Sequence, residues 1–420
     1  MIRAAKLASL RVPLALTGIL LAARIASVPA LSDPVTTALP DRLHLSVPAL
    51  YLLLAPLFTL WDGVSMLSMS RLKGFLAGLA VIYLLWRLGR IATRRRTTVS
   101  WPRRLLRELG VLVLSLGLLL GFLVIGALWH RPMISLAGVS ENERVVDFHS
   151  HTRASHDVEG TLMENFDAEA NRRWHARAGF DVAFVTDHNV VSREARVGNR
   201  ESGVGVSGTV LCPGIEVSAW RAHILLLGDT LPVDRGRYTA SLAGLLELLA
   251  GSEREYGSLT VASIPEYRRN HWGRLDTLIN AGLDGFEIVN AAPKANELTR
   301  ADRDSVVSLA RANNLFVVGV SDSHGWGATS MVWNLVRAPA ASSEQAICYS
   351  VLDRLRTGFP AVRVVERHRL RADAWWPLWL TPIGVVWESW RGMGWELTAA
   401  WLAWIWLVSA LLWVARRSDR

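Results

Sequence analysis

Val145-Val146-Asp147-Phe148-His149-Ser150-His151 is the stretch on which the reading of this chain turns. β-Branched and aromatic residues run straight into two imidazoles one residue apart, and a polar run follows from Thr152. The pattern predicts a short buried strand ending in a loop, with His149 and His151 at its carboxyl end, where α/β folds keep their chemistry. Residues two apart on an extended segment point the same way, so both rings can face one metal ion. Taken alone, a His-x-His pair also fits a solvated loop, and only its company further along the chain separates the two readings.

The 420 residues leave room for two or three domains. At 51% hydrophobic the chain is too apolar for an ordinary soluble enzyme, and the excess lies at its two ends. The net charge of +9 invites a nucleic-acid reading. It is set aside because much of the arginine flanks apolar runs, where positive charge reports membrane orientation, and no specific nucleic acid is expected. Many of the 19 tryptophans cluster at the same ends, as in the aromatic belts of a bilayer interface. Cys212 and Cys348 are too few for a disulfide framework and too far apart for a CxxC motif, so they say little about the redox compartment.

Residues 109–129 carry no charge over 21 positions, enough to cross a hydrocarbon core of about 30 Å. Earlier candidate spans are 12–29, 47–69 and 74–89, and a later one is 395–415. Between the third and fourth spans lie Arg87, Arg90, Arg94, Arg95, Arg96, Arg103, Arg104 and Arg107, a loop that the positive-inside rule puts in the cytoplasm. Arg416, Arg417 and Arg420 put the C-terminus there too. The region between is then extracytoplasmic, in a multi-pass protein of the inner membrane if the source is bacterial. Four early spans conflict with Arg3, Lys6 and Arg11, which favour an N-terminus that stays inside. Residues 375–390, short and holding two prolines and Glu388, are expected to lie along the interface.

Three regions follow: a membrane region with three to four helices at 1–135, a soluble domain at 136–365, and a membrane region at 366–420. Within the domain, apolar runs at 182–185, 210–215, 223–227, 259–264, 286–289 and 316–320 predict strands. Helical periodicity at 163–178, 242–250, 275–281 and 302–312 fills the gaps, an alternation that predicts an α/β parallel sheet or barrel. Glu164, Asp167, Glu169, Arg172 and Arg173 read as a solvated helix face. The glycine run at 203–208 lacks the strand and helix of a phosphate loop and reads as a connector.

Eight of the 11 histidines fall between Asp147 and His324, most of them just past a predicted strand. Asp187-His188, Glu216, His223 and Asp322-Ser323-His324 mark four more strand ends. A lone histidine beside a strand is usually a core residue bonded to backbone. Repeated pairs of acid and imidazole are hard to explain that way, because packing carboxylates together is costly unless a cation neutralises them. Imidazole and carboxylate without thiolate suit Zn, Mn or Fe rather than a structural cysteine site.

In order, Asp-Phe-His-Ser-His-Thr, Ser-His-Asp, Thr-Asp-His-Asn, Gly-Ile-Glu-Val-Ser, His-Ile-Leu-Leu-Leu-Gly and Ser-Asp-Ser-His resemble the motifs of the PHP (polymerase and histidinol phosphatase) superfamily. The resemblance covers 147–324 and neither membrane end. It implies a distorted (β/α)7 barrel with two or three divalent metal ions, most often hydrolysing phosphoesters. Position by position it assigns metal ligation to His149, His151, Asp157, His188, Glu216, His223, Asp322 and His324, with Asp187 orienting His188. His156 competes with Asp157, which the Ser-x-Asp pattern favours. Where the family usually has Ala-His-Pro, this chain reads Ala262-Ser263-Ile264-Pro265-Glu266-Tyr267, so that imidazole is missing: either one metal position stays vacant, or Glu266 or His271 reaches in, with His271 reading more simply as a loop residue near Trp272.

The function expected is metal-assisted hydrolysis of a small phosphorylated substrate at the surface of a lipid bilayer. Arg153, Arg268 or Arg269 would clamp phosphate, and His156 or His271 would protonate the leaving group. Hydrolysis of a carbamate, amide or ester is the competing enzymatic reading. A non-catalytic metal- or ligand-binding membrane sensor is the competing non-enzymatic one.

Overall fold

The stretch that opens with Val145 is a strand, Glu143–Ser150, inside a curled sheet of ten strands that forms a half barrel. The computed structural model describes residues 2–36, 38–93, 100–192, 208–228, 232–339 and 343–418. Most of the expected glycine connector, 203–207, lies outside the described residues, as do Arg94, Arg95, Arg96 and Arg420.

The chain begins with α1 (Ile2–Ile25), β1 (Leu31–Ser32), β2 (His44–Ser46), α2 (Ala49–Leu53), α3 (Ala55–Ser65), α4 (Met69–Thr93) and α5 (Trp101–Leu128). The domain follows as β3 (Ser135–Ala137), β4 (Glu143–Ser150), α6 (Ala168–Ala178), β5 (Val182–Val185), β6 (Val210–Ala219), β7 (Ala222–Leu227), α7 (Leu242–Tyr256), β8 (Leu259–Ala262), α8 (Glu266–Asn270), α9 (Leu275–Asn280), β9 (Gly285–Asn290), α10 (Arg300–Ala312), β10 (Phe316–Val320), β11 (Val332–Arg337), α11 (Glu344–Leu355) and β12 (Val362–Arg367). The chain closes with α12 (Thr381–Gly392) and α13 (Trp395–Ser418). Three stretches, Met69–Arg90, Trp101–Leu128 and Trp395–Ala415, are long and apolar enough to cross a membrane, which associates the chain with one.

The sheet order is β1-β12-β11-β4-β5-β6-β7-β8-β9-β10. Only β4-β5-β6 and β8-β9-β10 run parallel, so the sheet is mixed rather than the all-parallel one that (β/α)7 implies. The reason is local. Trp220 and Arg221 join β6 to β7 in a two-residue turn, with Arg221 at φ 53°, and a tight hairpin can only connect antiparallel strands. After β10 the chain returns to β4. His151 N donates to the Ser323 carbonyl and Asp322 N to the His149 carbonyl, both at 2.9 Å, which draws the two strand ends together at one rim.

Helices flank this sheet, and their ends are written in the sequence. Asp167, Ser241, Thr299 and Ser343 accept from backbone N–H groups as N-caps of α6, α7, α10 and α11. Gly179 and Gly257 close α6 and α7 in the left-handed conformation. On α6, Glu169 pairs with Arg172 and Arg173, as expected of a solvated face. Cys212 of β6 and Cys348 of α11 form a disulfide that their wide separation in sequence conceals.

Residues 47–69 do not form a single span. They break into α2 and α3, of 5 and 11 residues, at Leu54, where Pro56 opens the second helix. Asp62, within α3, is drawn into a buried polar junction. Its carboxylate accepts from Tyr51 Oη (2.8 Å), Thr329 Oγ1 (2.8 Å), Arg367 (2.9 Å) and Arg131 (3.2 Å). The domain is also fastened at the start of α4. There Met69 N donates to the Pro293 carbonyl (2.8 Å) and Ser70 N to Glu297 Oε1 (2.6 Å). Helix α12, at 12 residues, is too short to cross, and its Glu388 accepts from His368, Trp376 and Arg391.

Candidate metal centre

At the rim where the parallel strands end, β4 and the residues after it supply His149 and His151, and the loop after β5 supplies His188. Glu216 comes from within β6, His223 from the start of β7, and Asp322 and His324 from the loop after β10. The loop after β4 adds Asp157. All eight side chains assigned to metal from the sequence meet here. His149 Nε2 lies 3.0 Å from His151 Nε2 and 3.1 Å from Glu216 Oε2. Glu216 also faces His188 Nδ1 at 3.2 Å and His223 Nδ1 at 2.9 Å. Asp322 Oδ1 is 3.2 Å from His151 Nε2, and Asp157 Oδ2 lies 2.6 Å from His324 and 3.3 Å from His188.

Three overlapping groups could each hold a metal ion: His149, His151 and Asp322; His188, Glu216 and His223; and His151, Asp157, His188 and His324. The chemistry of the donor set fits. Buried Nδ1 of His188 and Oδ1 of Asp322 find no hydrogen-bond partner among the described residues, although Glu216 Oε2 lies 3.2 Å from the first and His151 Nε2 3.2 Å from the second. Polar atoms so placed ask for a cation.

Electrostatics agree. Burial, with the His324 and His149 rings beside it, takes His151 down to about 4, so at pH 7 it is the neutral ring a metal requires. Burial works in the same direction on His149 and His223, but nearby carboxylates overcome it. Asp322, Glu216 and Glu287 raise His149 well above its usual range, and Glu216 raises His223 to about 9. The carboxylate field here is strong enough to hold protons where no other cation is supplied. Asp322 itself sits at φ 46°, a left-handed conformation costing roughly 1–2 kcal/mol, held by its N–H bond to His149.

No family model matches this chain, and no curated protein matches it. Among solved structures, PsfC from Pseudomonas syringae is similar at TM-score 0.35 and 18% identity, over 58% of this chain and 96% of its own. A protein from Bifidobacterium adolescentis proposed to be a metal-dependent phosphoesterase is similar at TM-score 0.33 and 17% identity, over 43% of this chain and 88% of its own. At these TM-scores neither likeness bears weight, and the site stands on its geometry.

The structure adds residues that the sequence reading passed over. Glu287, in the middle of β9, is fully buried and accepts from His149 Nδ1 at 2.7 Å, which leaves Nε2 to face the cluster. Ser263, where the expected imidazole is missing, donates to Glu287 Oε2 at 3.2 Å. Glu266 lines the cavity over the cluster, 3.9 Å from His223, and its Oε2 has no hydrogen-bond partner. Lys294 is the one lysine or arginine lining that cavity among the described residues. An acid inside an apolar strand was the available signal for Glu287, and the Pro-Lys turn after β9 was the signal for Lys294.

Asp187 does not orient His188. It accepts from Thr152 N (2.6 Å) and Oγ1 (2.7 Å) and so fixes the chain just past His151. The three side chains expected to take part in catalysis fare differently from the ligands. His271 is turned away: its Nε2 meets the Arg221 carbonyl at 3.2 Å and its ring packs edge-on against Trp220. Arg153 is exposed and does not line the cavity, and Arg268 is engaged by Asp302 at 3.0 Å. His156 is exposed, with its ring 4.9 Å from that of His188, at the edge of the site rather than within it.

Proposed function

We propose that this chain is a membrane-anchored, metal-dependent phosphoesterase with its catalytic domain on the extracytoplasmic side. The observation that supports the hydrolase reading is the meeting of five imidazoles and three carboxylates at one strand rim, beside a cavity of about 630 Å³. Two or three ions of the Zn, Mn or Fe type would be held by the three groups of ligands. Such ions supply Lewis acidity, which activates water near neutral pH and neutralises charge on phosphoryl oxygens.

The chain's own residues do the remainder. Glu216 reaches His149, His188 and His223 together, and so is the carboxylate that links neighbouring ligand groups. Glu287 keeps the His149 Nδ1 proton on the outer side, and Asp187 steadies the backbone beside His151. Lys294 faces the anionic end of the substrate. Glu266, in the cavity wall and unpartnered at Oε2, takes the place of His271 as the group to hand a proton to the leaving oxygen.

The orientation follows from counting crossings. Beyond the three stretches long and apolar enough to cross, this orientation takes α1 as a fourth crossing; with 47–69 out of the membrane, the N-terminus, the arginine loop and the C-terminus then all lie in the cytoplasm. The conflict raised by Arg3, Lys6 and Arg11 then disappears. A disulfide between Cys212 and Cys348 agrees with an oxidising compartment.

The test is metal analysis of the purified full-length chain, followed by a panel of phosphodiester, phosphomonoester and aryl ester substrates, with His149→Ala as control. Two or three equivalents of metal and phosphoester turnover abolished by His149→Ala are expected. A folded chain that binds no metal overturns the reading in favour of a binding module.

A further inference from the structure

The cavity over the ligand cluster has two unlike walls. One is the polar rim, with Glu216, His223, Glu266, Asp322 and His324. The other belongs to the membrane region: Trp61 and Val64 of α3, Met69 and Leu72 of α4, and Leu123 and Ala127 of α5. A small soluble phosphorylated molecule has no apolar part with which to cover such a wall.

The apolar wall also leads somewhere. One turn along α4 from Leu72 stands Leu76, 43% exposed; one and two turns back along α5 from Leu123 stand Leu120 and Leu116, 63% and 56% exposed. Only 6% of the most apolar part of α5 is buried, so this helix shows almost its whole apolar surface to the surroundings. The track from cluster to exposed leucines is unbroken in chemistry, and Lys294 stands at the polar end of it. The packing that places α5 here is tight. A Cβ on Gly327, three residues past His324, would lie 2.9 Å from Ala127 Cα, and one on Gly126 would lie 2.6 Å from Trp61 Nε1.

We infer that the substrate is a membrane-resident amphiphile, a lipid phosphoester whose phosphate meets the cluster while its apolar chain lies along α3, α4 and α5 and continues into the bilayer. This rests on the phosphoesterase reading above and names its substrate class. The step is hydrolysis. Water adds its oxygen to phosphorus, the P–O bond to the leaving alcohol breaks, the alcohol departs with one proton, and the other passes to solvent.

The test uses the full chain in mixed micelles and 4-methylumbelliferyl phosphodiesters carrying an ethyl, octyl or hexadecyl group. The hexadecyl ester is expected to be hydrolysed at least tenfold more efficiently than the ethyl ester, since its chain shares the micelle with the protein and lies along the apolar wall while the ethyl ester has none to place there. Filling the wall with Leu123→Trp or Leu72→Trp is expected to lower the hexadecyl-to-ethyl ratio about tenfold. A readout free of turnover is photolabelling of the metal-stripped chain with a diazirine-bearing hexadecyl phosphate, where labels should concentrate on 61–72 and 123–129. Equal efficiency on all three esters, with labels scattered along the lipid-facing helices, overturns the inference and leaves the phosphoesterase reading standing. Concentrated labels without turnover of any ester keep the lipid site and overturn the hydrolase reading.

Discussion

Glu287 shows how a side chain that need not touch substrate can set a metal site. Its carboxylate is buried against His149 Nδ1, and removing its charge leaves that imidazole free to turn or to change tautomer. Glu287→Gln is expected to weaken metal affinity by roughly 10–100-fold without unfolding the chain, as read by competition with a chromogenic chelator. Glu366 gives a pH dependence away from the cluster. Burial alone would raise its carboxyl, but Arg369, Arg371 and Arg303 overcome that and hold it at about 2. A carboxyl depressed from its usual value of 4.5 stabilises the fold above that value, and the contribution drains away as pH falls toward about 2. The midpoint of thermal unfolding should therefore fall between about pH 5 and pH 2. In Glu366→Gln that part of the slope should vanish, and stability at pH 7 should drop by roughly 3–5 kcal/mol, because three buried guanidinium groups lose their partner. Seven of the eight residues gathered at the rim were legible from the sequence because each closes or opens an apolar run, and Asp157 was named only by the Ser-x-Asp pattern of the family resemblance. Glu287 was not, since it sits inside such a run, and the Cys212–Cys348 pair was not, since nothing local brings β6 to α11.

At the scale of elements, α3 is where sequence and structure part. Averaged over a window, 47–69 is apolar enough to pass for a membrane span. Pro56 starts a new helix there, and Asp62 is held in the protein by Thr329, Arg131 and Arg367, partners from distant parts of the chain. No local pattern announces them. Burial works against the ionised form of Asp62, and Arg367 and Arg131 hold it ionised nonetheless. Asp62→Ala leaves two buried guanidinium groups uncompensated and is expected to cost roughly 3–5 kcal/mol, measured by denaturant titration in detergent. Because Thr329 follows the Asp322–His324 loop closely, hydrogen exchange of 321–329 should quicken in the same variant. Strand and helix positions in the domain were largely legible from periodicity. The antiparallel β6-β7-β8 segment was not, because the turn at Trp220 and Arg221 carries neither Gly nor Asn to mark it.

For the whole molecule, sidedness is the property that joins the membrane ends to the domain. An alkaline phosphatase fused after residue 135 should be active, and a fluorescent protein fused after Arg420 should glow; the reverse pair would invert the orientation. The free-thiol count should be zero before reduction and two after it, as read by maleimide labelling of the unfolded chain. The contact of Gly327 with Ala127 has a consequence of its own. With no side chain between them to yield, the end of α5 and the loop bearing Asp322 and His324 shift as one lever. Tilting of α5 by a thicker or thinner bilayer is therefore expected to strain the ligand ring, and metal affinity measured in vesicles of short-chain and long-chain lipid should differ; equal affinity would show the two parts to be uncoupled.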